Sequence, residues 1–129
     1  APAIIWAKPA DPFVAEAVAG AQPLQATITA GGNLEIPFGT FAAAEYGLEP
    51  RPGPATVCIR PEAVQFESGA GPGIVSDVRF SGARWIVVAE EPVSGARLRA
   101  FTASQPDLKA GDSVSARFTK GGLLVYYRE

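Results

Sequence analysis

The chain has 129 residues, of which 47% are hydrophobic and 19% charged, and its formal net charge is −2. This length and composition predict one globular domain, or one domain with a remnant of a second, large enough to bury a core. A pI of about 5.2 does not indicate a protein that binds nucleic acid through basic residues. No apolar run is long enough to span a bilayer. The 14 glycines and 12 prolines predict many turns and few long helices.

The first predicted element is a short N-terminal helix. Asp11 is a suitable N-cap, Pro12 suits the first helical position, and Gly20 can end the helix. The apolar residues between them recur at helical spacing, at Phe13, Val14, Ala17 and Val18. One short helix cannot bury this apolar stripe alone, so we expect the stripe to need a partner.

From residue 21 the hydrophobic period changes to two, which predicts strands. Residues 24–28 alternate between apolar and polar, and a turn at residues 30–33 leads into a second strand at residues 34–36. The proline-rich residues 47–54 are predicted to form a loop. Val57 and Ile59 should then share one face of a strand, with Cys58 on the other face as a buried small hydrophobe.

An Arg-Pro-Glu sequence at Arg60, Pro61 and Glu62 follows that strand. Pro61 cannot donate a ladder hydrogen bond, so it should end the strand, and it biases Arg60 toward an extended conformation. The pattern predicts a strand-turn-strand joint that carries two opposite charges. These charges have two interpretations: an exposed local ion pair, worth less than about 1 kcal/mol, or a contact with another domain or subunit.

After a glycine-rich loop at residues 68–73, we predict five further strands. Residues 74–80 should place Ile74, Ser76, Val78 and Phe80 on one face, and residues 85–89 read as a central apolar strand. The remaining strands are predicted at residues 98–102, 114–118 and 123–127. Four aromatic side chains are predicted in the core, at Phe80, Trp85, Phe118 and Tyr126. Short strands at these intervals predict a mainly β protein, a small OB-like antiparallel β-barrel with a short N-terminal helix; a sandwich is the alternative.

The sequence argues against catalysis. It contains no histidine, which removes the commonest general base and metal ligand and excludes Ser-His-Asp and Cys-His arrangements. Cys58 is the single cysteine, so an internal disulfide and a cysteine metal cluster are excluded. Residues 69–73 are rich in glycine but lack the lysine and hydroxyl residue of a phosphate loop. We therefore predict no catalytic, cofactor-binding or metal site in this chain.

Several stretches resemble the ATP-binding subunits of bacterial ABC importers. Residues 6–20 look like the segment that ends the nucleotide-binding domain, although the family usually has tyrosine where Trp6 stands. Residues 57–66 contain Ile-Arg-Pro-Glu and resemble the signature of the accessory C-terminal TOBE-type domain. Residues 73–82 and 111–114 are similar to the strand and the turns that follow it.

The resemblance implies two parts: residues 1–20 as a C-terminal remnant of the nucleotide-binding domain, and residues 21–129 as a TOBE-like β-barrel regulatory domain. It implies a non-catalytic regulatory and dimerisation domain of an import ATPase, cytoplasmic and peripheral to the inner face of the cell membrane. The implied partners are the nucleotide-binding domain of the same subunit, a second ATPase subunit in a homodimer and, indirectly, the membrane permease. ATP and Mg would belong to the missing nucleotide-binding domain, and the transported solute would be one such as iron, a polyamine, a sugar or a phosphonate. The chain is then a fragment of a longer ATPase or a stand-alone descendant.

Six residues are the predicted interface: Trp6, Phe13, Val14, Val18, Arg60 and Glu62. The alternative function is a small-ligand or oxyanion-binding module of the same fold, with Arg79, Arg84, Arg97 and Arg99 as its candidate groups. A third hypothesis, an OB-type binder of single-stranded nucleic acid, is disfavoured by the acidic pI.

Overall fold

The computed structural model describes residues 22–48 and 51–127, which form two antiparallel β-sheets that curl into a half-barrel. Within these two ranges there is no α-helix. The predicted helix at residues 11–20 lies outside the described residues. The strands in chain order are β1 (Gln22–Ile28), β2 (Asn33–Ile36), β3 (Gly39–Ala42), β4 (Gly53–Ile59), β5 (Val64–Phe80), β6 (Trp85–Glu91), β7 (Ala96–Thr102), β8 (Ser113–Phe118) and β9 (Leu123–Tyr127). Two 3₁₀ turns occupy Ala43–Tyr46 and Pro61–Ala63.

The first sheet has the strand order β3-β2-β1-β4-β9, and the second has the order β7-β6-β5-β8. The predicted alternation in β1 is confirmed, because its residues alternate between buried and exposed along the whole strand. The predicted turn into β2 is also confirmed, and β1 and β2 pair antiparallel. The predicted central strand is confirmed as β6, which pairs with β5 on one side and β7 on the other.

The predicted loop at residues 68–73 is wrong, because β5 runs without interruption for 17 residues. The glycines mark a bulge instead: the pairing with β8 shifts register between Ser68 and Gly73. Gly71 lies so close to β8 that a Cβ atom there would come within 3.0 Å of the Val114 carbonyl. Glycine is therefore required by a close approach of two backbones, which a sequence pattern cannot distinguish from a loop. The predicted loop at residues 47–54 is likewise too long, since β4 begins at Gly53.

A second irregularity changes which residues of β5 face the core. The pairing with β6 shifts register between Val75 and Asp77, so strict alternation fails there. Val75 is buried at 1% exposure, whereas Phe80 is 56% exposed. The prediction that Ile74, Ser76, Val78 and Phe80 share one face is therefore wrong, and so is the predicted core position of Phe80.

The core lies between the two sheets and draws residues from both. Val57 and Ile59 are fully buried in it, and burial of such a side chain contributes roughly 1.5–3 kcal/mol. Cys58 points to the other face, where it is buried with Leu124 against the partly buried Tyr126. The predicted alternation at residues 57–59 and the buried Cys58 are thus confirmed. Phe118 is buried as predicted, whereas Trp85 is only partly buried.

One buried polar side chain joins the two sheets. The Gln22 Oε1 atom at the start of β1 accepts a hydrogen bond from the Arg99 backbone N–H at 2.7 Å, and its Nε2 donates to the Arg99 carbonyl at 3.0 Å. The amide thus pairs with β7 as a strand backbone would. These bonds satisfy a polar group that would otherwise be costly to bury.

Candidate functional site: the Arg-Pro-Glu corner

The predicted strand-turn-strand joint is confirmed, and it connects β4 of the first sheet to β5 of the second. Arg60 is extended (φ −74°, ψ 130°), as expected for a residue before proline. Its N–H donates to the Gly122 carbonyl at 3.1 Å, and its carbonyl accepts from the Ala63 N–H at 2.9 Å. Pro61 is buried beneath this turn. The backbone of the corner is therefore held in place by hydrogen bonds and packing.

The turn between β8 and β9 packs directly against the corner. The Thr119 N–H donates to the Ala63 carbonyl at 2.9 Å. Gly122 lies so close that a Cβ atom on it would come within 3.0 Å of the Ala63 Cβ. This contact requires glycine at position 122 because of space, not because of a special backbone angle.

The charges at the corner are loosely paired. The Glu62 carboxylate lies 3.6 Å from Arg60 Nε and 3.8 Å from Arg84 Nη1. All three side chains are about half exposed, at 50%, 47% and 46% respectively. Ion pairs of this kind contribute little to stability. Arg60 and Glu62 are brought together as the sequence predicts.

Arg84 was not predicted to be part of this corner, and it connects the corner to β7. Its guanidinium carbon lies 4.5 Å from the centre of the Phe101 ring, and Arg99 approaches the same ring at 5.8 Å. These are cation–π distances. Arg84 is far from Glu62 in sequence, so no local pattern could reveal the pair; the single hint was Phe101, an aromatic residue that follows Arg97 and Arg99 in the alternation of β7.

Glu62 lies on a ridge between three surface depressions. The largest is a cleft of about 500 Å³. The second, of about 170 Å³, lies between the corner and the β8–β9 turn. The third, of about 220 Å³, is formed with Arg84 and Phe101. A side chain in this position is accessible to a partner from several directions.

The candidate oxyanion arginines do not converge on one site. Arg79 pairs with Asp77 at 3.5 Å, and Arg97 pairs with Glu90 at 3.2 Å. Arg84 and Arg99 approach Phe101 instead. None of the four arginines lines the largest cleft, whose described lining includes the carboxylates of Glu62, Glu67 and Asp107. This arrangement does not favour an oxyanion as the ligand.

The corner also marks where the polypeptide enters the first sheet. In the pairing of β1 with β4, Gln22 lies opposite Ile59, the residue that precedes Arg60. β1 therefore begins beside the corner. The other four predicted interface residues lie outside the described residues: Trp6, Phe13, Val14 and Val18.

A second carboxylate, Glu91, ends β6 and accepts hydrogen bonds from the turn that leads to β7. Its two oxygens accept hydrogen bonds from the N–H groups of Val93 at 2.6 Å and Ser94 at 3.0 Å. The hydrogen bonds from Ser94 and Val93 lower the pKa of Glu91, because they favour the ionised form. This residue is buried and structural.

The described residues contain no group of three or more metal-ligating side chains, and the thiol of Cys58 is buried. In the same part of the chain, no helix is both long and apolar enough to cross a membrane.

The family model described as the TOBE domain matches residues 57–125, more than half of the chain. The match includes the Arg-Pro-Glu corner and every strand from β5 to β8, and it does not include an ATPase domain. No curated protein sequence matches the chain. The chain therefore belongs to the TOBE-domain family, whose members are typically C-terminal domains of ABC transporter ATP-binding subunits.

Proposed function

We propose that this chain is a non-catalytic regulatory and dimerisation domain of an ABC-type import ATPase and that it acts through contacts between subunits. The observation that carries the proposal is the Arg60–Glu62 corner, whose backbone is fixed while its charges stay half exposed. A rigid backbone holds the side chains in place for a partner at little entropic cost. Loose ion pairs leave the charges able to exchange partners.

The place where β1 begins supports our proposal for the partner that meets this corner. Gln22, the first described residue, pairs opposite Ile59, so the described part of β1 begins next to Arg60. We assign residues 1–20 to the end of the nucleotide-binding domain and residues 21–129 to an OB-type TOBE barrel. The nucleotide-binding domain of the same subunit is then the nearest partner, and a second ATPase subunit extends the contact in a homodimer. The predicted apolar residues upstream, Trp6, Phe13, Val14 and Val18, belong to the same interface.

The mechanism is a shift in conformational populations. An ATPase dimer alternates between open and closed states. A domain whose contacts differ between the two states changes their free-energy difference, and therefore the ratio of their populations. In this account ATP and Mg bind to the nucleotide-binding domain, at the inner face of the cell membrane. The solute moved by the parent importer, such as iron, a polyamine, a sugar or a phosphonate, is selected elsewhere in the complex.

The test measures ATP turnover and self-association of the purified 129-residue chain in the same preparations. We expect ATP turnover no greater than that of a buffer blank, and sedimentation equilibrium that shows a concentration-dependent dimer. ATP turnover that follows the protein through successive purification steps would contradict the non-catalytic role. A chain that sediments as a monomer at all concentrations would contradict the dimerisation role.

A further inference from the structure

The largest of the three depressions beside Glu62 is a cleft that follows the edges of two strands. Its lining includes the consecutive residues 64–68 of β5 and 100–102 of β7. Successive side chains of a strand point to opposite faces, so consecutive residues line the same cleft when the cleft lies along the edge. The cleft is therefore bounded by the edges of β5 and β7.

The first half of β5 presents backbone groups on the cleft side. β8 pairs with this half along one edge, whereas β6 pairs with β5 only from Ile74 onward, so no described strand covers the other edge. The Ala63 carbonyl accepts a hydrogen bond from the Thr119 N–H on the β8 side. The Val64 N–H points to the opposite side, where it donates to the Pro61 carbonyl. Backbone groups alternate between the two edges along an antiparallel strand. Those of Phe66 therefore point away from β8 and toward the cleft.

The outer edge of β7 also lacks a paired strand among the described residues, although the Pro61–Ala63 turn packs near this strand. The N–H and carbonyl of Arg99 bond to the Gln22 side chain, so its backbone groups point away from β6. Phe101, two residues further along, has the same orientation and lines the cleft. At Arg99 the Gln22 amide takes the place of a neighbouring strand, and at Phe101 a bound backbone could do so.

The lining combines apolar surface with negative charge. Its apolar residues include Val64, Phe66, Val87, Pro106 and Leu108. Its charged residues are Glu62, Glu67 and Asp107, and no lysine or arginine is among the lining residues that the structure describes. Glu62 and Glu67 are paired with arginines outside the lining, whereas Asp107 is exposed and forms no ion pair within residues 22–48 and 51–127. A cationic side chain in the cleft would therefore pair with Asp107.

We propose that this cleft binds an extended segment of a partner protein by strand addition, and that the segment alternates apolar residues with lysine or arginine. Its backbone bonds to the open edges at Phe66 and Phe101, which supplies affinity independent of sequence. Its apolar side chains cover the floor of the cleft, and a cationic side chain pairs with Asp107, which supplies selectivity. An uncovered strand edge is otherwise a site of unwanted pairing. This interaction is additional to the subunit contacts proposed for the corner, and the two surfaces share Glu62, which also lines the cleft.

The test uses a synthetic peptide of alternating valine and lysine, acetylated and amidated at its ends and about eight residues long, the length of a strand. It is titrated into the isotopically labelled full chain and followed by NMR. We expect saturable shifts of the Phe66 and Phe101 amides, with slower hydrogen exchange at both. Asp107→Asn should weaken binding about two- to fivefold, the value of an exposed ion pair, whereas the distant Glu35→Gln should leave it unchanged.

Two altered peptides make the test specific. A peptide N-methylated at alternate residues has lost the backbone donors of one edge, and a peptide with glutamate in place of lysine reverses the charge; both should bind at least tenfold more weakly. Equal binding of either altered peptide would overturn the proposal, as would shifts confined to the edges of β3 and β9 or no shifts at all. These results are independent of ATP turnover and self-association, so they leave the proposed function to its own test.

Discussion

Two turns of this domain hold a carboxylate in opposite ways. At the β6–β7 turn, Glu91 is buried and both oxygens accept backbone hydrogen bonds. At the Arg-Pro-Glu corner, the backbone is tightly bonded, but the Glu62 carboxylate is half exposed and more than 3.5 Å from either arginine. The charge of Glu91 is therefore satisfied by hydrogen bonds within the fold, whereas the charge of Glu62 stays exposed on the surface. An exposed charge on a turn with a rigid backbone is suited to a contact with another domain or subunit.

The largest effect should come from breaking the rigid backbone of the corner. Gly122→Ala places a Cβ atom against the Ala63 side chain, and overpacking of this kind costs about 1–3 kcal/mol. We expect the free energy of unfolding in urea to fall by that amount. Gly31→Ala is the matched control, because its nearest neighbour would lie 3.8 Å away, and it should change stability little. Equal effects of the two substitutions would show that the corner is not tightly packed.

The next largest effect on stability should come from the buried charge of Glu91. Glu91→Gln keeps the size of the side chain but removes the charge that the turn stabilises. Because the folded-state pKa is lowered, the contribution of Glu91 is fully present above the ordinary glutamate range and is lost as the pH falls through the folded-state pKa. The difference in unfolding free energy between wild type and variant should therefore shrink from about pH 7 to about pH 3, below the ordinary glutamate pKa.

The control for this pH dependence is Glu90→Gln. Glu90 is the neighbouring carboxylate and forms an exposed pair with Arg97, so its removal should have a smaller effect at every pH. A Glu91 effect that is the same at both pH values would contradict a role for the charged form.

The smallest effect on stability should come from the exposed charge of Glu62. Glu62→Gln removes two exposed ion pairs, each worth between about 0 and 1 kcal/mol. We expect a change in unfolding free energy of less than about 1 kcal/mol, diminished further by added salt. A loss as large as that of Gly122→Ala would mean that the charge serves the fold, and the distinction between the two turns would fail.

Much of the fold could be predicted because its signals are local. Alternation located β1 and β8, turn residues located the turn into β2 and the start of β9, and a continuous apolar run located the central strand β6. The corner was predicted because proline restricts both itself and Arg60. The errors in β5 have a common cause, since a bulge breaks the period of two that the prediction relies on. The sequence pattern of residues 68–73 cannot reveal that Gly71 lies against the β8 backbone.

The candidate site was predicted in part for the same reason. Arg60 and Glu62 are neighbours in sequence, so their pairing follows from the turn. Arg84 joins them across the fold, and the cleft arises from strand edges that face one another only after the sheet curls. Gln22 accepts a hydrogen bond from the Arg99 backbone of β7. Nothing in the local sequence distinguishes Gln22 from any other polar residue at the start of a strand.

The central claim is that Glu62 is displayed for a partner, and self-association tests it most directly. The dissociation constant of the dimer is measured by sedimentation equilibrium for the wild type, Glu62→Arg and the control Glu35→Arg, which makes the same charge change on β2. We predict that Glu62→Arg raises the dissociation constant at least about tenfold, because like charges brought together at an interface cost several kcal/mol, and that it leaves the unfolding free energy nearly unchanged. Equal dissociation constants for Glu62→Arg and Glu35→Arg would contradict the account.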